Sequence, residues 1–235
     1  MVILMSISLT ANQYTALPQT VERISAAIMN KIPFSLVRLG DGENIVLAQE
    51  KIFSQAWIHT NVRWSHSADY CGVALPNPRV RDLMIEALHQ ADIIGVFAEN
   101  MLTQRIFEIY NICPKSICYA FDNLYLPMSK SFVNLIREYP PLLVGRSARQ
   151  FSAFLYQKLG IKVPGTIGIN NYSELFGCIS QMAKIPHQWS LISAGCNAVI
   201  IASIMASAFG KVSIDFGHAP DNIMSPDPNY WLAVD

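Results

Sequence analysis

The sequence predicts an α/β fold: a doubly wound, mostly parallel Rossmann-like sheet with helices on both faces. Three observations point there. Short apolar runs alternate with helix-spaced segments about six times along 235 residues, the pattern that builds parallel βαβ units. The composition is 51% hydrophobic and only 14% charged, against a usual charged fraction of about a quarter. Strands apolar on both faces give that bias; a subunit interface gives it too, which leaves a homo-oligomer open. No repeat, linker or low-complexity tract divides the chain. A single domain over 1–235 is therefore expected, with an N-terminal arm (1–12) and a C-terminal loop tail (219–235).

The elements follow in order. Residues 20–31 read as a helix, with Ile24, Ala27 and Ile28 on one face. The apolar run 34–39 reads as a strand and 44–51 as a short helix, and 53–78, rich in Trp, His, Ser and Asn, as irregular. Val80, Leu83, Met84, Ala87 and Leu88 give helical spacing over 79–90. Strands are then expected at 92–97, 115–120, 141–145, 161–167, 189–194 and 212–216. Helices are expected between them at 102–110, 129–138, 148–159, 172–183 and 198–209. Gly160 is placed to stop the helix at 148–159. The apolar stretch 198–209 contains Ser203 and Ser207 and ends at Gly210, which suits a buried helix of a soluble fold.

Composition also excludes. Formal net charge is zero and no Lys/Arg run exists, so nothing points to nucleic acid. Five cysteines (71, 113, 118, 178 and 196) show no C-x-x-C pair, which argues against zinc and against a disulfide framework, and for a reduced, cytoplasmic protein. Residues 1–9 are apolar but lack a basic n-region and a cleavage site; an edge strand or packed arm is expected. No transmembrane segment is expected, because no run approaches about 18 unbroken apolar residues.

Four strand ends could carry chemistry. The first is Arg38-Leu39-Gly40-Asp41-Gly42-Glu43. Ligands bind at the carboxyl edge of open α/β sheets, where this stretch falls. On a regular helix, residues i and i+2 point about 200° apart and cannot share an ion; a glycine-freed bend would let Asp41 and Glu43 converge on a divalent cation carrying a diphosphate. The alternative stays open: Asp41 as helix cap, with Glu43 favoured by the dipole. Arg38 needs a partner, either one of these carboxylates or a phosphate. The second is Ser193-Ala194-Gly195-Cys196-Asn197-Ala198, a small-residue turn that is either an anion cradle or tight strand–helix packing. The third is Asp215-Phe216-Gly217-His218, whose His could serve as donor, base or plain cap. The fourth, Gly145-Arg146-Ser147, reads slightly better as a surface helix start.

The other histidines are less informative. His59 and His66 flank Trp64 and could line a cleft, while His89 reads as a helix-face and His187 as a loop residue. None has H-x-x-x-H spacing. The loop aromatics Trp57, Trp64, Tyr70, Phe121, Tyr125, Tyr230 and Trp231 serve either stacking or ordinary packing.

The combination of R-x-G-D-G-E after an apolar strand, a late G-x-x-A turn into an apolar helix, and a strand closing in D-x-G-H resembles bacterial GT-D-fold glycosyltransferases. The likeness is close at 34–48 and 191–218. It implies a nucleotide-sugar-dependent enzyme on a Rossmann-like sheet. It also implies that Asp41 and Glu43 engage a divalent metal (Mn or Mg) and the donor diphosphate, with Arg38, Gly40 and Gly42 on the same motif. Gly195, Asn197, Asp215 and His218 would then lie at the same cleft. Where the family pattern usually carries Pro and Thr, this chain has Cys196 and Asn197, and Asp221 stands in for one acidic residue after the Gly-His pair. The implied activity is transfer from a UDP-type donor to a glycan acceptor, in polysaccharide biosynthesis, with His218 or Asp221 orienting or deprotonating the acceptor hydroxyl. Two other readings stay open. A methyltransferase using S-adenosylmethionine would need an acidic residue to close a second strand, and 54–66 offers none. A non-catalytic subunit of a glycan-biosynthesis assembly would keep the fold without turnover.

Overall fold

A computed structural model describes residues 9–226, 229, 232 and 233. The chain runs α1 (Leu17–Asn30), β1 (Phe34–Arg38), α2 (Asp41–Ala48), α3 (Gln55–Asn61), α4 (Pro78–Gln90), β2 (Ile93–Val96), α5 (Met101–Tyr110) and β3 (Ile117–Tyr119). It continues through α6 (Asp122–Tyr125), α7 (Lys130–Glu138), β4 (Leu142–Gly145), α8 (Ala148–Leu159), β5 (Thr166–Ile167), α9 (Leu175–Lys184), β6 (Trp189–Ser193), α10 (Cys196–Ser207), β7 (Val212–Asp215) and α11 (Ala219–Met224).

One seven-stranded sheet results, in the order β3-β2-β1-β7-β6-β4-β5. Every strand pair is parallel. The chain winds outward from β1 to β3, then crosses to β4 on the other side, so the winding reverses beside β1. At such a switch point the strand ends splay and leave a crevice.

Two apolar layers explain the low charge content. Val37, Ile94 and Ile192 face α2, α4, α5, α9 and α10, while their neighbours Leu36, Ile93 and Leu191 face α1, α7, α8 and α11. Successive strand residues point to opposite faces, so both must be apolar. Helix α10 is buried on nearly every side, packed between α4 and strands β1 and β7. A helix that is apolar all round needs that position. No described helix is long and apolar enough to cross a membrane.

Four expectations need correction, the first being the strand read at 161–167, which forms only over Thr166–Ile167. The tail was expected as loop from 219, yet Ala219–Met224 is helical with Ala219, Pro220 and Ile223 buried. Pro220 sits in the first turn, where its missing N–H costs nothing. The segment 53–78 contains α3, opened by Ser54, whose side chain accepts the Trp57 N–H, and a 3-10 turn at Arg63–His66. The short α6 was not foreseen. Of the N-terminal arm, Leu9 is buried, Ala11–Gln13 form a 3-10 turn, and Tyr14 bridges Ile117 in parallel. Residues 1–8, Tyr230 and Trp231 lie outside the described residues.

Candidate active site

A cavity of about 520 Å³ opens along the carboxyl edge of the sheet. Eight of the ten residues expected at a site line it: Arg38, Gly40, Asp41, Gly42, Glu43, Gly195, His218 and Asp221. Asn197 and Asp215 do not. Asn197 is buried beneath the wall, its amide donating to the Gly72 carbonyl at 3.3 Å. Asp215 lies under Arg38.

The acidic pair sits differently from expectation. No glycine bend brings Asp41 and Glu43 together, since neither Gly40 nor Gly42 has a positive φ. Gly40 is the N-cap, and both carboxylates stand on the first turn of α2. Asp41 is exposed at the first position. Glu43 is buried at the third, where its Oε2 accepts the Gly40 N–H at 3.0 Å. Such a cap satisfies an orphan donor, and the helix dipole favours both charges. One side of Glu43 is thus structural.

Charge in the middle of the cavity comes from Arg38, the last residue of β1, which is 8% exposed. Its Nη1 donates to the Ala120 carbonyl at 3.0 Å. Its Nε lies 3.5 Å from Asp215 Oδ1, a charge contact without hydrogen-bond alignment, and Nε has no acceptor. Asp215 Oδ1 accepts the Gly217 N–H at 3.0 Å, which shapes the turn before His218. Burial pushes the Asp215 carboxyl up to about 6, against the opposing pull of Arg38 and with help from Glu43. Gly217 has φ +53, and a Cβ there would stand 2.8 Å from the Arg38 Cζ. Glycine is required, because side-chain-bearing residues resist that backbone and the guanidinium fills the space.

The Gly195 turn does not form the expected open anion cradle. Its φ is +55, and a Cβ would stand 2.7 Å from the Cys71 carbonyl carbon. The loop 67–72 docks so closely that the Cys196 N–H donates to the Cys71 carbonyl at 2.9 Å. The Asn197 and Ala198 amides bond Ala194 and Gly195 carbonyls. Tight packing explains this turn, and only the helix dipole remains to act on an anion.

Other walls come from residues the sequence left ambiguous or did not single out. Arg146 and Ser147, at the strand end read as a surface helix start, line the cavity. So do Tyr70, from the segment read as irregular, and Phe97 and Phe121 beyond β2 and β3. Tyr70 and Phe121 stood among the loop aromatics, but nothing local in the sequence distinguishes them from packing residues. His218 is the N-cap of α11 and lies 6.5 Å from Phe121, ring to ring. Partial burial and the Arg38 charge lower its pKa, so it is neutral at neutral pH.

Donor chemistry tests whether a divalent cation suits the cavity. Among the described residues no group of three His, Cys, Asp or Glu side chains could hold a metal. Asp41, helped by Glu43, supplies one or two carboxylates. That suits a Mg- or Mn-type ion whose remaining ligands are water and substrate phosphate oxygens, rather than a resident metal in a protein cage.

The sequence profile of the GT-D fold-like domain matches residues 16–223. The chain belongs to the GT-D-like family. Solved structures agree at the level of fold. One solved structure, of the highly conserved domain of unknown function 1792, described as having a distinct glycosyltransferase fold, superposes with a TM-score of 0.55 at 14% identity, covering 94% of this chain and 88% of that one. A selenomethionine-substituted structure of domain of unknown function 1792 gives 0.54 at 15% identity with the same coverage. Comparison with curated proteins finds no match.

Proposed function

We propose that this GT-D-like protein is a glycosyltransferase of hexosyl type. It would move a sugar from a UDP-type donor to a glycan acceptor in polysaccharide biosynthesis, with a Mn or Mg ion bound alongside the donor. One observation carries the reading. A carboxylate at the start of α2, the Arg38 guanidinium and the His218 imidazole all line one cavity at the switch point of the sheet.

Roles follow from the chemistry of each group. The divalent ion, when bound, neutralises the diphosphate leaving group as a Lewis acid. Asp41, with the part of Glu43 not used in capping, would hold it. Arg38 would take a phosphate oxygen: Nη1 is committed to the Ala120 carbonyl and Nε lies against Asp215, while the side chain still lines the cavity. Neutral His218 can accept the acceptor hydroxyl proton, and Asp221, on the next turn, can orient it. Gly40 and Gly42 leave room for the Glu43 and Cys71 side chains and Gly195 for the Cys71 backbone, while Asn197 and Asp215 support the walls.

Calorimetry with UDP, with and without Mn²⁺, tests this. UDP should bind tightly only with the ion, and Asp41→Ala should remove that difference. Binding indifferent both to the ion and to Asp41→Ala overturns the mechanism. Release of UDP from a UDP-sugar by the purified protein would speak against the non-catalytic reading.

A further inference from the structure

The cavity straddles the sheet edge. On one side lies the loop 67–72, docked on α2 and α10; on the other, His218 at the N-cap of α11 and Asp221 in its first turn. Arg38 stands between. Each side carries aromatic rings, but of different kinds.

On the loop side, Tyr70 is 61% exposed within the cavity wall. Its ring stacks on Trp64, with centroids 5.1 Å apart and planes at 26°. Its Cε1 would lie 3.7 Å from a Cβ at Gly42, so the ring edge abuts the start of α2. Trp64 packs against the core. The loop is anchored by the Cys71 carbonyl on the Cys196 N–H and by the Gly72 carbonyl on the Tyr172 N–H, each at 2.9 Å. One face of Tyr70 is thus backed and the ring is held, while much of its surface stays bare beside Asp41. An exposed aromatic with a rigid backing is pre-organised for a planar ligand.

On the His218 side, Phe97, Tyr119 and Phe121 pack edge to face, with interplanar angles of 79° and 82° at Phe121. That wall offers no comparable backed plane.

We propose that Tyr70, backed by Trp64, is the platform on which the aromatic base of the donor nucleotide stacks. This rests on the donor reading above and fixes the donor's direction: base over loop 67–72, diphosphate past Asp41 and Arg38, sugar toward His218. Stacking accepts any base, because every base presents a π-face.

The test is calorimetry with Mn²⁺ and UDP, ADP or GDP, taking the nucleotide that binds wild type most tightly. Tyr70→Ala should weaken it on the order of tenfold to a hundredfold, while Tyr70→Phe keeps most of the affinity. Mn²⁺-pyrophosphate, which has no base, should bind wild type and Tyr70→Ala alike, showing that the fold and the phosphate site survive. Equal nucleotide affinity for wild type and Tyr70→Ala overturns the platform. So does a loss confined to Phe121→Ala, which would put the base at the opposite wall. A wild type that binds pyrophosphate but no nucleotide overturns the donor reading and the platform with it.

Discussion

Asp215→Asn should make the protein more stable above pH 6 and impair its site. Asp215 is 2% exposed and its carboxyl is pushed up from the usual 3.8 to about 6, chiefly by burial. A carboxyl whose pKa is higher folded than unfolded binds more protons in the native state. Its contribution is therefore most favourable below about pH 4, is lost as pH rises through about 6, and is a constant penalty above that. The shift corresponds to about 3 kcal/mol. Asparagine keeps an Oδ1 for the Gly217 N–H and carries no charge, so it removes that penalty. Urea unfolding from pH 4.5 to 8 should show a gap between variant and wild type that is small at the acid end and approaches about 3 kcal/mol above pH 6. The price appears in function: Arg38, without its counter-charge, loses orientation, and nucleotide affinity should fall. A gap that stays flat across this range, or a variant less stable at pH 8, refutes the reasoning.

Further outcomes follow from neighbouring groups. Gly217→Ala forces a side chain into a positive-φ site against Arg38; it should cost about 1–3 kcal/mol in urea unfolding and weaken UDP binding. Glu43→Ala removes the acceptor of the Gly40 N–H and should lower stability by about 0.5–2 kcal/mol, whereas Asp41→Asn, at an exposed position, should leave the urea midpoint nearly unchanged and lower Mn²⁺-dependent UDP affinity. Wild-type transferase activity should fall with acidification only below the ordinary histidine range, because burial and Arg38 lower the His218 pKa; in His218→Gln that acid limb should vanish from kcat/KM along with most of the rate.

Local signals were legible wherever the chain's own neighbours decide the outcome. The strand at 34–38 is a short run, apolar but for Ser35, that stops at a charge, and α8 spans 148–159 as expected because Gly160 supplies the left-handed cap at φ +69. Pro220 hid α11, since a proline reads as loop although the first helical turn tolerates it. Helix α3 was hidden because its seven residues bury only Ile58, leaving no periodic stripe. The site was legible as residues but not as geometry. Arg38 was expected to need a partner; the sequence offered Asp41, Glu43 or a phosphate, yet Asp215 is the one beneath it, because the strand order sets β7 beside β1. Likewise the Gly195 turn is closed by Cys71, a residue from a distant loop that no local pattern ties to it.

These contacts share a direction. Cys71 closes the N-terminus of α10, Glu43 caps α2, and Asp215 occupies one edge of Arg38. Each fixes a residue that lines the cavity. The consequence is a cavity whose reactive groups are fixed from behind: Arg38 cannot swing without breaking its Ala120 bond, and His218 cannot move without the Gly217 turn that Asp215 holds. A buried ion pair can cost more in desolvation than its attraction returns, and at Asp215 burial raises the carboxyl in spite of Arg38. The effect of Asp215 is to orient Arg38 at the switch point of the sheet, where Arg38 lines the cavity together with the carboxylates of α2. Stability and orientation therefore trade against each other at Asp215, and an asparagine there should separate them.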